Sequence, residues 1–127
     1  MLTPKSGVVA PIGVQPFFPT LYLHNSDSTA FPPIRSKGFL PVDIDYGWTN
    51  ASFDDDFHNA VRSTARAVSD AARSEGQSTK GAIIYPNYAI YDTPLEAIYG
   101  NHLPRLRSLR ANVDPQNVMK LAGGFKF

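Results

Sequence analysis

The chain has 127 residues and a formal net charge of +1, a length that suits one small domain. The balanced charge argues against nucleic-acid binding, because such domains usually carry a strong basic bias. Cysteine is absent, which excludes disulfides, thiolate metal sites and cysteine nucleophiles. The three histidines, His24, His58 and His102, are widely separated in sequence and form no ligand-spaced pair. The sequence therefore predicts no metal site.

Charged residues make up 18% of the chain, compared with about 25% in average proteins. Proline supplies 11 of the 127 residues, which is above the usual share of about 5%. A small chain of this composition is expected to need a further covering surface. The segment Met1–Gly7 lacks the apolar core of a secretory signal. No stretch has the length of a membrane span, so no membrane partner is expected and the cellular location stays unknown.

An alternating segment predicts the clearest strand, over residues 39–48, after an extended N-terminal segment and a turn-rich loop over 24–38. Apolar and polar side chains alternate here with the period of two of a half-buried strand: Val42, Ile44, Tyr46 and Trp48 against Asp43, Asp45 and Gly47. Two carboxylates on one strand face suit acid–base chemistry. The same pattern is also typical of a solvated sheet face.

A long helix is predicted to follow, with Ser52 as N-cap, aspartates 54–56 in its first turn and Gly76 as C-cap. Carboxylates stabilise the positive end of a helix, so this acidic run needs no metal to explain it. The core stripe is formed by Phe57, Val61, Thr64 or Ala65, Val68 and Ala72.

The segment Tyr85–Pro94 concentrates phenol and carboxamide groups after a short predicted strand, 82–84. Such groups orient flat, hydrogen-bonding ligands, although tyrosines also suit an ordinary half-buried strand. In an extended chain Tyr85 and Asn87 share one face and Tyr88 lies on the other. Pro86 is expected to end or bend the strand.

The rest of the chain predicts a helical tail. Thr93 is the expected N-cap of a short helix, with Pro94 at its first position and Glu96 completing a capping box. A second helix carries Leu103, Leu106, Leu109 and Val113, a last one covers 116–121, and Phe125 and Phe127 are expected to be exposed. The fold class is therefore α+β, a partial antiparallel sheet backed by helices with a helical C-terminal tail.

Several motifs in the second half of the chain carry a family resemblance. They are Tyr85-Pro86-Asn87-Tyr88, Asp92-Thr93-Pro94-Leu95-Glu96, Tyr99-Gly100-Asn101, Leu103-Pro104-Arg105-Leu106 and Val113-Asp114-Pro115-Gln116-Asn117-Val118-Met119. In order and spacing they resemble the C-terminal end of the berberine-bridge-enzyme-like FAD-linked oxidases. The resemblance implies a partial substrate-binding domain over 1–81 and a berberine-bridge-enzyme-like C-terminal segment over 82–127.

The resemblance implies an FAD-linked oxidoreductase of small-molecule or secondary metabolism. FAD in such enzymes takes a hydride from an alcohol, sugar, amine or similar substrate and passes electrons to dioxygen. Carried onto this chain, Asn87 contacts the flavin, Tyr85 lines the same pocket, and Tyr88 lies at the reactive face as substrate contact or base. A carboxylate is the base in other members, which leaves Asp43 and Asp45 as alternatives.

The 127 residues depart from the family in having no counterpart of the FAD-binding half and no cysteine for a flavin linkage. We therefore expect this chain alone to bind no FAD tightly and to be inactive. Its expected partners are a small-molecule substrate and an FAD-binding half, in cis or in trans. The alternative is a non-catalytic pseudoenzyme or interaction domain derived from the same family.

Overall fold

The computed structural model of the chain describes residues 7–24, 29–31, 39–79, 81–82 and 84–127. The chain divides into two compact units: Met1–Gln15 with Val42–Ala82, called here the strand unit, and Pro16–Pro41 with Ile83–Phe127, called the tyrosine unit. Antiparallel strand pairs and α-helices both occur in the described residues, so the predicted α+β class is confirmed. The functional division at residues 81 and 82 stays a prediction.

The strand unit contains two antiparallel strand pairs. Strand β1 (Gly7–Val9) pairs with β4 (Gly47–Trp48), and β2 (Ile12–Val14) pairs with β3 (Val42–Ile44). The single strand predicted over 39–48 is thus interrupted. Pro11 separates β1 from β2 and has no N–H for the ladder, while its carbonyl accepts from the Asp45 amide at 3.1 Å.

Helix α1 (Asp54–Ser74) follows a 3-10 turn at Ala51–Phe53. The prediction of Ser52 as N-cap is wrong, because the turn begins earlier and the Asn50 side chain accepts the Ser52 amide at 3.0 Å. Gly76 ends the helix as predicted, but it lies one position after the C-cap residue, which is Glu75. Gly76 has φ +80, its N–H donates to the Arg73 carbonyl and that of Gln77 to the Ala72 carbonyl, both at 3.0 Å, which is a Schellman motif.

The core of the strand unit is an aromatic stack. Phe57 is 2% exposed, and its ring lies parallel to that of Trp48, with centroids 4.9 Å apart. The Tyr46 ring lies 6.3 Å from Phe57, and its hydroxyl bonds to the Thr64 hydroxyl at 2.9 Å. Trp48 also donates from Nε1 to Asp54 Oδ1 at 2.6 Å. Tyr46 and Trp48, which the alternation placed on one face, thus both contact α1 and hold it against the strands.

The tyrosine unit is built on helices α2 (Leu95–Tyr99) and α3 (Leu103–Val113). Ile98 is completely buried and Leu103 is 2% exposed. Gly100, with φ +49, ends α2 as predicted. Thr93 as N-cap is wrong, because Pro94 occupies that position, and no side chain caps the helix.

The short strand predicted over 82–84 is also wrong. Ala82 and Ile84 belong to no strand, and residue 83 lies outside the described residues. The Ile84 amide donates to the Ala97 carbonyl at 3.1 Å, so this amide is bonded to helix α2 and not to a neighbouring strand. The loop predicted over 24–38 lies largely outside the described residues.

The last helical segment, predicted over 116–121, is shorter than predicted. Only Val118–Leu121 forms a helical turn, of 3-10 type, because Asn117 is left-handed with φ 56. Asp114 caps this turn by accepting from the amides of Val118 and Met119 at 2.8 and 2.9 Å. Phe125 and Phe127, both expected to be exposed, are half-buried, and the Phe127 ring packs against Tyr99 with centroids 5.1 Å apart.

No helix within the described residues has the length and apolar character needed to cross a membrane.

We predict that Phe57→Ala will lower the free energy of unfolding by about 3–5 kcal/mol, because it removes a buried ring and leaves a cavity beneath Trp48. Urea denaturation followed by far-UV circular dichroism measures the change. Phe18→Ala is the matched control, since Phe18 is 70% exposed, and a change within about 0.5 kcal/mol is expected there. Equal losses in the two variants would contradict the stacked core.

Candidate functional site

The three predicted site residues, Tyr85, Asn87 and Tyr88, lie on one tight turn of the tyrosine unit. Pro86 opens a 3-10 turn over Pro86–Tyr88, for which its fixed φ is suited, and the Tyr88 amide donates to the Tyr85 carbonyl at 3.0 Å. The expected bend at Pro86 is therefore confirmed. The extended arrangement, with Tyr88 facing away from Tyr85, is wrong because the turn curls the backbone back on itself.

The turn brings the side chains of all three residues together. The Asn87 amide donates from Nδ2 to the Tyr85 hydroxyl at 2.9 Å. The Tyr88 ring meets the Tyr85 ring edge to face, with centroids 5.1 Å apart. Tyr85 and Tyr88 are half-buried, whereas Asn87 is exposed. An accessible amide thus lies beside a phenol whose ring is held in place.

Tyr85 belongs to a larger group of rings, called here the aromatic cluster: Phe17, Tyr22, Phe31, Phe39, Tyr85 and Tyr88. Tyr85 makes edge-to-face contacts with Phe17 at 5.5 Å and with Phe31 at 5.9 Å. Such pairs contribute about 0.5–1.5 kcal/mol each beyond the area they bury. The cluster therefore fixes the position of the turn.

Backbone contacts hold the loop residues of the cluster. Phe17 and Phe39 exchange backbone hydrogen bonds at 3.0 and 3.2 Å, an isolated antiparallel bridge. The Thr29 hydroxyl donates to the Phe31 carbonyl at 2.6 Å, and His102 donates from Nδ1 to the Thr29 carbonyl. Sequence reasoning missed the loop side of the cluster. The available signal was the repeated aromatic residues within a proline-rich region.

Burial raises the pKa of the Tyr22 phenol above its ordinary value, and the nearby Tyr85 phenol raises it further. Burial disfavours a phenolate because the charge loses its hydration. The shift moves Tyr22 further from deprotonation at neutral pH, so its phenol is not suited to removing a proton.

Asp43 and Asp45 lie in the strand unit, Asp43 on β3 and Asp45 just after it. Burial raises the pKa of Asp43, and the charge of Asp45 and a hydrogen bond between the two carboxyl groups raise it further. The two carboxylates therefore interact, as their spacing suggested. A raised pKa is typical of a carboxylate that exchanges protons near neutral pH, but also of any pair of adjacent acids.

Metal ligands do not gather in the described part of the chain: no three His, Asp or Glu side chains there could hold an ion together.

The chain is similar to part of a known protein. Over 95 residues it is 32% identical to a protein named FAD-linked oxidoreductase OXR1, from Pyricularia oryzae. The match covers 74% of this chain but spans only 18% of the relative's length. A continuous match of that extent includes the middle of the chain, Tyr85 to Tyr88 among it, wherever it starts. No protein-family model and no solved structure matches the chain.

We predict that Tyr22 will titrate later than a solvated tyrosine. Its raised folded-state pKa means that its contribution to stability is complete below the unfolded pKa of about 10 and is lost as pH rises through the folded value. Ultraviolet titration of phenolate formation measures this late step. Tyr22→Phe should remove it, while Tyr91→Phe, at a residue 71% exposed, should leave it. A late step that survives in Tyr22→Phe would contradict the assignment.

Proposed function

We propose that this chain is the C-terminal portion of an FAD-linked oxidoreductase of the berberine-bridge-enzyme-like family, acting in small-molecule or secondary metabolism. The observation that carries the proposal is the 32% identity over 95 residues to a protein named an FAD-linked oxidoreductase. Independent support comes from the ordered motifs that begin at Tyr85-Pro86-Asn87-Tyr88 and end in Asp114-Pro115-Gln116-Asn117-Val118.

Asn87 and Tyr85 are the proposed flavin contacts. An exposed amide hydrogen-bonded to a phenol, with aromatic rings behind it, suits the polar edge of a flat heteroaromatic ring. When bound, FAD supplies the hydride acceptor for substrate oxidation and returns electrons to dioxygen. The 127 residues contain no glycine-rich phosphate loop, so they fit one edge of FAD and lack a site for its pyrophosphate. The rest of the cofactor is therefore proposed to be held by an FAD-binding half, in the same polypeptide or a separate one.

Tyr88 is the proposed residue at the reacting face, as substrate contact or general base. Its backbone is fixed by the 3-10 turn and its ring by the edge contact with Tyr85, so its hydroxyl is presented in a defined direction. A phenol has a reference pKa near 10 and removes a proton at neutral pH only where that pKa is lowered. Asp43 and Asp45 are the alternative bases, since the family resemblance implies that a carboxylate on the substrate sheet is the base in other members.

A second candidate function is that of a non-catalytic pseudoenzyme or interaction domain. The supporting observation is a set of exposed apolar side chains on α3 and the tail of the tyrosine unit: Leu109, Val113, Val118, Met119 and Leu121. Leu109, Val113 and Met119 line one groove, and grouped exposed apolar residues are typical of surfaces that another protein covers. The two functions differ in whether flavin accompanies the chain.

The first test is the mass and visible spectrum of the native protein, captured from its source with an antibody against residues 82–127. We expect a species several-fold heavier than 13.9 kDa, or a complex of that size, with flavin absorbance. Such a result would support the oxidoreductase. A colourless species near 13.9 kDa would contradict it and favour the interaction domain.

In the flavin-containing species, we predict that Tyr88→Phe will lower kcat by about 100-fold or more if Tyr88 is the base, and will flatten the limb of the pH–rate profile in which the rate rises with pH. Asn87→Ala should shift the visible spectrum of the flavin. Tyr91→Phe is the matched control because Tyr91 is close in sequence and exposed. Unchanged turnover would rule out Tyr88 as base, and an unchanged spectrum would rule out Asn87 as a flavin contact.

A further inference from the structure

Helix α3 and the tail that follows it line an open-sided cavity of about 500 Å³ within the tyrosine unit. Its apolar wall consists of Leu106, Leu109, Val113, Met119, Phe125 and Phe127. Cavities of about 300–1,000 Å³ with mostly apolar walls and a few polar groups are typical of small-molecule sites. None of these residues belongs to the proposed flavin contacts.

Arg110 supplies the distinguishing polar group of this cavity. Its Nε atom is buried and makes no hydrogen bond within the described part of the chain. A guanidinium carries its charge at every ordinary pH. Arg110 as a whole is only half-buried and lines the cavity, so its terminal guanidinium nitrogens are the charged donors that an anionic oxygen in the cavity would use.

The other charged groups of the cavity are already engaged. Asp114 accepts hydrogen bonds from the amides of Val118 and Met119 at 2.8 and 2.9 Å, which satisfies one lone pair on each carboxylate oxygen. Lys126 donates from Nζ to the carbonyls of Ala122, Gly123 and Met119. Arg110 is therefore the cation left for a ligand.

We propose that this cavity binds an amphipathic carboxylate, with its head group on Arg110 and its hydrocarbon part against the wall formed by α3 and the tail. A carboxylate fits because it accepts parallel hydrogen bonds from a guanidinium. A hydrocarbon body fits because the wall is made of aliphatic and aromatic side chains. The site shares no residue with the turn at Tyr85–Tyr88, so the test of this proposal is independent of the flavin assignment.

Titration calorimetry of the 127-residue chain with laurate, kept below its micelle concentration, tests the proposal. The wild-type chain should bind laurate, and Arg110→Gln should bind at least about tenfold more weakly, because a hydrogen bond to a charged group is lost. Arg105→Gln is the matched control: Arg105 lies on the same helix and is exposed, so its affinity should equal the wild type. Dodecanol and dodecyltrimethylammonium should bind more weakly than laurate.

Two further variants keep the test decisive if Arg110→Gln fails to fold by circular dichroism. Arg110→Lys retains the charge but removes the forked donor, and should also lose about tenfold in affinity. Ala122→Phe adds a ring at an exposed lining position and should block the cavity. No binding of laurate to the wild type, or equal binding to the wild type and a folded Arg110 variant, would overturn the proposal. Self-association in sedimentation that laurate leaves unchanged would also overturn it and would assign the face to a protein interface.

Discussion

Contacts between aromatic rings stabilise both units of this chain, in the place of a large aliphatic core. Among the described residues, the buried apolar side chains are Phe57, Ile98 and Leu103, and short chains bury a smaller fraction of their surface than long ones. Phe57 stacks on Trp48 in the strand unit, and six rings meet in the aromatic cluster of the tyrosine unit. Each unit therefore depends on ring geometry, which is directional in a way that aliphatic packing is not.

This dependence decides which site residues can report on function. Tyr85 contacts Phe17, Phe31 and Tyr88, so removing its ring disturbs the cluster and lowers stability whatever the phenol binds. Asn87 is exposed, and its side chain donates a hydrogen bond to the Tyr85 hydroxyl. A change at Asn87 therefore alters the polar surface with little effect on packing. Substitutions at Asn87 and at the Tyr88 hydroxyl therefore separate function from stability, whereas a substitution at Tyr85 changes both.

Local patterns predicted α1 and its C-terminal end, because the apolar period and Gly76 act within a few residues of one another. They also predicted that Tyr46 and Trp48 share a face. The strand predicted over 82–84 failed because the Ile84 amide is paired with Ala97, a partner that no local pattern reveals. The aromatic cluster was missed for the same reason, since Phe17, Phe39 and Tyr85 meet only after the loops are placed. The proposed site residues Tyr85, Asn87 and Tyr88 rest on motif resemblance, and their proximity follows from the turn at Pro86.

The pKa shifts bear on which group could serve as a base. A tyrosine must have its pKa lowered from about 10 to accept a proton at neutral pH, whereas an aspartate must have its pKa raised from about 4. The environment raises the pKa of Tyr22 in the aromatic cluster and that of Asp43 on β3. The first shift moves a phenol away from base chemistry, and the second moves a carboxylate toward it. For Tyr88 to be the base, its pKa must be lowered by a nearby positive charge or by hydrogen bonds to the phenolate, whereas Asp43 lacks motif support.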